Sequence, residues 1–138
     1  MKSTTDIRVR GYHVDVFGHV NHARYVEFLE EARWAFFDQH RPVVDRLHAR
    51  GISHAVVRLV LNYRQPARVG DDLRVVTSIK EVGRSSVVVA QEIVHLGDNR
   101  LVADAEITNV LLDRETGRPV SIHGDIHPLT SGEDNGHG

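Results

Sequence analysis

The 138-residue chain has no cysteine. Disulfides, thiolate metal sites and a cysteine nucleophile are therefore excluded, and a reducing cytoplasm is the expected compartment. No field of one charge sign exists either. Seventeen Lys and Arg stand against 19 Asp and Glu, for a formal net charge of −2, and both signs are scattered. A nucleic-acid binder would need a basic surface to capture phosphates, and none is visible. No apolar run approaches the ~20 residues of a membrane span, and the first ten residues, MKSTTDIRVR, hold no apolar stretch of a secretory signal. Internal repeats are absent too. What remains is a chain 41% hydrophobic and 26% charged, enough for one domain with a hydrophobic core.

Residues 7–14, IRVRGYHV, alternate apolar and polar and predict a strand. A loop from Asp15 to Asn21 comes next. Asn21 is a candidate N-cap, because its carboxamide oxygen can accept from an orphan amide of a helix start. Beyond it Tyr25, Phe28, Leu29, Ala32, Ala35 and Phe36 fall on one helical face, while Glu27, Glu30, Glu31 and Asp38 lie largely elsewhere. This predicts one long helix ending before Pro42. A short helix over 43–50, closed by Gly51, is a further expectation.

After Gly51 the pattern turns to Val- and Ile-rich strands over 54–64, 72–82, 85–95 and 100–113. Gly83-Arg84 and Gly97-Asp98-Asn99 supply hairpin turns, which makes the neighbouring strands antiparallel. From Pro119 the pattern is lost. The domain is expected over 1–120, with a flexible tail over 121–138. One helix cannot cover both faces of a five-stranded sheet, so self-association as a homodimer or homotetramer is expected.

The segment Asp15-Val16-Phe17-Gly18-His19-Val20-Asn21-His22-Ala23-Arg24-Tyr25, closed by Glu30-Glu31-Ala32-Arg33, resembles the 4-hydroxybenzoyl-CoA thioesterase family, and within it the bacterial long-chain acyl-CoA enzymes. The likeness runs on through Asn62-Tyr63-Arg64-Gln65-Pro66-Ala67 and Val102-Ala103-Asp104-Ala105 and covers roughly residues 7–115. It implies a hotdog fold (α+β), an antiparallel sheet of about five strands wrapped around one long helix. It also implies hydrolysis of a fatty acyl-CoA of medium or long chain, without a cofactor or a metal. Asp15 stands where the family carries its catalytic carboxylate. His22, where many relatives have a second Asn, stands where a backbone N–H polarises the thioester oxygen.

The chemistry suits those places. A helix start has amides without intrahelical partners and about half a positive charge, so the His22 N–H can stabilise an oxyanion. Asp15 can deprotonate water or attack the carbonyl itself, and the sequence leaves both routes open. The stretch 12–33 has no serine, so the nucleophile–histidine alternatives are missing there. Each residue has a plainer role as well. Asp15 suits a turn, His19 is either structural or a substrate contact, and Asn21 caps. Tyr25 and Phe28 are core residues first and acyl-pocket lining second. For the phosphates of CoA the candidates are Arg58, Arg64, Arg68 and Arg84, with Ser85 and Ser86 beside the last. His13, His19 and His22 lie close in sequence but lack the spacing of a metal site. Two other functions share the scaffold: an acyl-CoA-binding module without turnover, and an enoyl-CoA hydratase or dehydratase using Asp15 with His19.

Overall fold

The computed structural model describes residues 2–122. Five strands form one antiparallel sheet in the order β1-β3-β4-β5-β2. They are β1 (Lys2–Arg8), β2 (Ile52–Tyr63), β3 (Asp72–Val82), β4 (Ser86–His95) and β5 (Leu101–Asp113). The two expected hairpins join β3 to β4 and β4 to β5. The sheet is that of a hotdog fold, but two helices accompany it rather than one. α1 (His22–Asp38) crosses the inner face, and α2 (Arg41–Ala49) comes directly after it. Pro42 does not merely end α1. It sits in the first turn of α2, where its missing N–H breaks no intrahelical bond.

The first strand differs from its expected place. β1 is Lys2–Arg8, and residues 11–13 form a single 3₁₀ turn. The alternation in β1 is real, but its inward positions are Ser3, Thr5 and Ile7. Hydroxyls in core-facing places carry no hydropathy signal. Across the inner face Ser3 pairs with Thr77, and Thr77 with Gln91, so a polar row crosses three strands. Gln91 Nε2 donates to the Leu29 carbonyl at 3.0 Å and to Thr77 Oγ1 at 2.9 Å, while Arg33 donates to its Oε1 at 3.1 Å. This row fixes where α1 rests on the sheet.

Apolar side chains pack on either side of the row. Tyr25, Phe28, Leu29 and Ala32 meet Leu73, Val75, Ile93 and Ile107 under the first half of α1. Phe36 joins Val43, Val87, Val89, Leu111 and Ile122 under its second half. Phe36 and Leu29 are fully buried, each contributing about 2–3 kcal/mol. Ile122 is also buried, and its amide donates to the Arg84 carbonyl at 3.1 Å. The domain thus includes residues past 120. The expected tail beyond Ile122 lies outside the described residues.

β2 is an edge strand that runs alongside α1 in the opposite sense. Tyr63 lies at the helix start and His54 against Phe37 near its end. After a bulge between Val56 and Arg58, its inner face passes from Val56 to Leu59, Leu61 and Tyr63. Val56, Leu59 and Tyr63 are 49%, 40% and 52% exposed there. An apolar trough therefore lies open between α1 and the sheet edge. Among the described residues no helix is long and apolar enough to cross a membrane.

Candidate active site

The loop from Asp15 to Asn21 is stitched closed at its base. Val14 and Val20 form an antiparallel bridge, His19 bridges to Arg68, and the Val20 amide donates to the Ala67 carbonyl at 2.9 Å. Inside the loop the Asp15 amide donates to the His19 carbonyl at 2.9 Å, and the Gly18 amide to the Asp15 carbonyl at 3.0 Å. Gly18 has φ +79°, a conformation costly for any residue with a Cβ, so this tight turn favours glycine.

Asp15 itself is exposed. Its Oδ1 accepts from the Phe17 amide at 2.9 Å and, more weakly, from the His19 amide at 3.4 Å. The turn role and the chemical role are thus compatible. One carboxylate oxygen is held by the loop, and Oδ2 has no partner among the described residues.

On the other side of the Val14–Val20 bridge the chain enters α1. Asn21 caps as expected: Oδ1 accepts from the Ala23 amide at 3.0 Å, and the Arg24 amide donates to the Asn21 carbonyl at 2.9 Å. The His22 N–H has no acceptor among the described residues and points out of the positive end of the helix. The His22 side chain is exposed. Tyr63 contributes a contact that the sequence did not announce. Its hydroxyl donates to the His22 carbonyl at 3.0 Å, and its ring meets Tyr25 edge-on at 5.4 Å.

His13 supports the same junction, with its carbonyl accepting from the Asn21 amide at 2.9 Å and its ring against Phe28. Burial, then the charge of Arg24, holds the His13 pKa below its ordinary value. Tyr25 is buried, its hydroxyl accepting from the Ala67 amide at 3.3 Å, and burial raises its pKa. His19 is half-buried, and its backbone, not its imidazole, makes the contacts described.

A family model for the thioesterase-like superfamily matches residues 9–127. The chain belongs to the thioesterase-like superfamily. It is 38% identical over 122 residues to the long-chain acyl-CoA thioesterase FadM of Escherichia coli K12, covering 88% of this chain and 92% of the relative. It is 34% identical over 120 residues to the acyl-CoA thioester hydrolase YbgC of Escherichia coli O6:H1, covering 87% and 89%. Among solved structures, the probable thioesterase YbaW of Escherichia coli superposes with a TM-score of 0.83 at 36% identity, covering 93% of this chain and 98% of that one. The 1,4-dihydroxy-2-naphthoyl-CoA thioesterase Slr0204 of Synechocystis has a TM-score of 0.85 over 97% and 98% at only 16% identity, a likeness of fold.

Within one chain, the other residues expected of a thioesterase-like site are not all gathered. Phe28 is buried in the core beside Tyr25. Arg58 is exposed on β2 opposite Thr108. Arg64 is committed to Asp104, with Nε 2.8 Å from Oδ2, and the Asp104 carboxyl is held below its ordinary pKa by that bond and one from Asn62. Arg68 lies at the loop base. Arg84, Ser85 and Ser86 stand at the far end of the sheet from Asp15, beyond the 11-residue β3, which spans about 33 Å. No single chain brings that turn to its own Asp15.

Proposed function

We propose that this acyl-CoA thioesterase works in the cytoplasm as a homodimer or homotetramer, hydrolysing medium- or long-chain fatty acyl-CoA with Asp15 as its catalytic carboxylate. The observation that carries the assignment is the loop–helix junction. A carboxylate with one tethered and one free oxygen sits on the loop that delivers an unpartnered amide, that of His22, at a helix start. Asp15 takes a proton from water as the water oxygen bonds to the thioester carbon. The carbonyl oxygen gathers negative charge against the His22 N–H. The C–S bond then breaks, and the proton passes to the departing CoA thiolate. Asn21 holds the amide in place, and His19 borders the reacting group.

Assembly is supported by the bare edge of β2 and by Val57, exposed at its bulge. It also answers the separation of the Arg84 turn from Asp15 within one chain. In a two-fold pair with β2 edges facing, Arg84, Ser85 and Ser86 of a second copy approach the first copy's loop and offer one cation and two hydroxyls to the CoA phosphates. Release of free thiol from a panel of acyl-CoAs tests the reaction, and loss of the absorbance of a 2-enoyl-CoA tests the hydratase alternative. No thiol release from any chain length would overturn the reading.

A further inference from the structure

Beneath α2, at the other end of α1 from Asp15, lies a cavity of about 140 Å³. Phe37, Val44, Leu47, Val89 and Leu111 form its apolar wall beside Trp34, while Arg41, His48, Ser53, His54 and Asn109 are the polar part of its lining. A cavity near 150 Å³ with such walls holds a benzene-sized apolar group, roughly what the end of a hydrocarbon chain occupies. From His22 to Phe37 the helix rises about 22 Å. The space between is the trough along the inner face of β2, where Leu61, Leu59 and Val56 succeed one another from Tyr63 toward the cavity.

Of the polar residues in the lining, Asn109 alone has a buried side-chain atom without a partner among the described residues. It faces inward on β5 between Ile107 and Leu111, opposite Val87 on β4 and Val56 on β2. It is only 5% exposed, and its Nδ2 has no acceptor among the described residues. An amide donor without a partner amid Val, Ile and Leu is costly, and such groups call for an explanation.

We infer that the acyl tail runs along the β2 trough into the cavity under α2, and that Asn109 selects chains carrying a hydroxyl or oxo oxygen near their far end. The inference rests on the thioester lying at the start of α1. The apolar side chains of the trough favour length. The unpaired amide donor of Asn109 at its end favours an acceptor that a plain alkyl chain lacks.

Trp34 is the chain's only tryptophan and borders the cavity. Its fluorescence therefore reports occupancy without any turnover, so failure of the catalytic reading leaves this test intact. The intact protein is titrated with hexadecanoate and with ω-hydroxyhexadecanoate, whose length matches the rise of the helix. A saturable change is expected with both, and about tenfold tighter binding of the hydroxy acid, as one buried hydrogen bond provides. Asn109→Leu should abolish that preference while binding hexadecanoate at least as well. Val44→Phe, on the cavity's α2 side, should weaken both acids and spare hexanoate. The inference is overturned if Trp34 reports no saturable binding, if the two acids bind equally to the parent protein, or if a folded Asn109→Leu keeps the preference. Circular dichroism of each variant establishes folding, and the comparison of the two acids on the unmutated protein stands without any variant.

Discussion

The hydroxyl of Tyr63, on the edge strand, donates to the carbonyl of His22, the first residue of α1, at 3.0 Å. The bond ties the helix start to the sheet at the place where the His22 N–H is proposed to meet the thioester oxygen. Tyr63→Phe removes it and leaves the ring. Thermal stability should change little, since Tyr63 is half exposed. kcat/KM should fall about fivefold to tenfold, mostly in kcat, as one positioning hydrogen bond of about 1 kcal/mol is lost. Steady-state kinetics beside a thermal melt check both halves.

Asn21 acts on the same amide through the backbone. Asn21→Ala removes the acceptor for the Ala23 N–H and should cost about 1 kcal/mol of stability. Asn21→Ser should restore most of it, because serine caps as well. Urea unfolding of the three proteins gives the order parent, serine, alanine. Turnover should decline in the same order.

The features legible in the sequence are those written in periodicity and turns. α1 and its cap, the four strands after Gly51 and both hairpins are readable because apolar spacing and glycine-bearing turns mark them. β1 is displaced from its expected place because Ser3 and Thr5 occupy its inward positions. Ile122 reads as tail because a lone apolar residue after a proline has no period; its burial depends on the distant Arg84 carbonyl. The Asp15 loop is legible as a motif. The roles of Tyr63 and Asn109 are not, since each depends on register across β2 and β5, and the bulge at Val56 resets that register. The distance from Arg84 to Asp15 is equally invisible, because it depends on which end of the sheet each occupies.

Gln91 pins α1 from below. Gln91→Leu leaves the Arg33 guanidinium facing an apolar side chain and removes the donor to the Leu29 carbonyl. The expected loss is about 1–3 kcal/mol by denaturant unfolding. Pairing it with Arg33→Met should recover part of that loss, since the unpaired cation goes with it. A double-mutant cycle with no recovery would show that Arg33 and Gln91 act independently.

Acid should loosen the region around the cavity. Burial foremost, with Arg33 on α1 and His48 on α2, lowers the pKa of His54 from its ordinary 6.5. His13 is lowered too. For both, the unfolded chain takes up the proton at higher pH than the folded one. Their stabilising effect is complete above 6.5 and is lost as pH falls from there toward the folded-state values. Melting temperatures measured from about pH 7.5 down to about pH 5 should fall, and His54→Asn should flatten the slope.

The central claim is that the free oxygen of Asp15 drives thioester hydrolysis at the start of α1. The most direct measurement is thiol release by Asp15→Asn from the best acyl-CoA of the panel, with its melting temperature taken in parallel. Asparagine keeps the side-chain oxygen that accepts from the Phe17 amide, so the fold should hold. Turnover should drop by about 10²-fold or more, the range for removing a general base or nucleophile. A folded Asp15→Asn protein that keeps turnover within a few-fold of the parent would contradict the account.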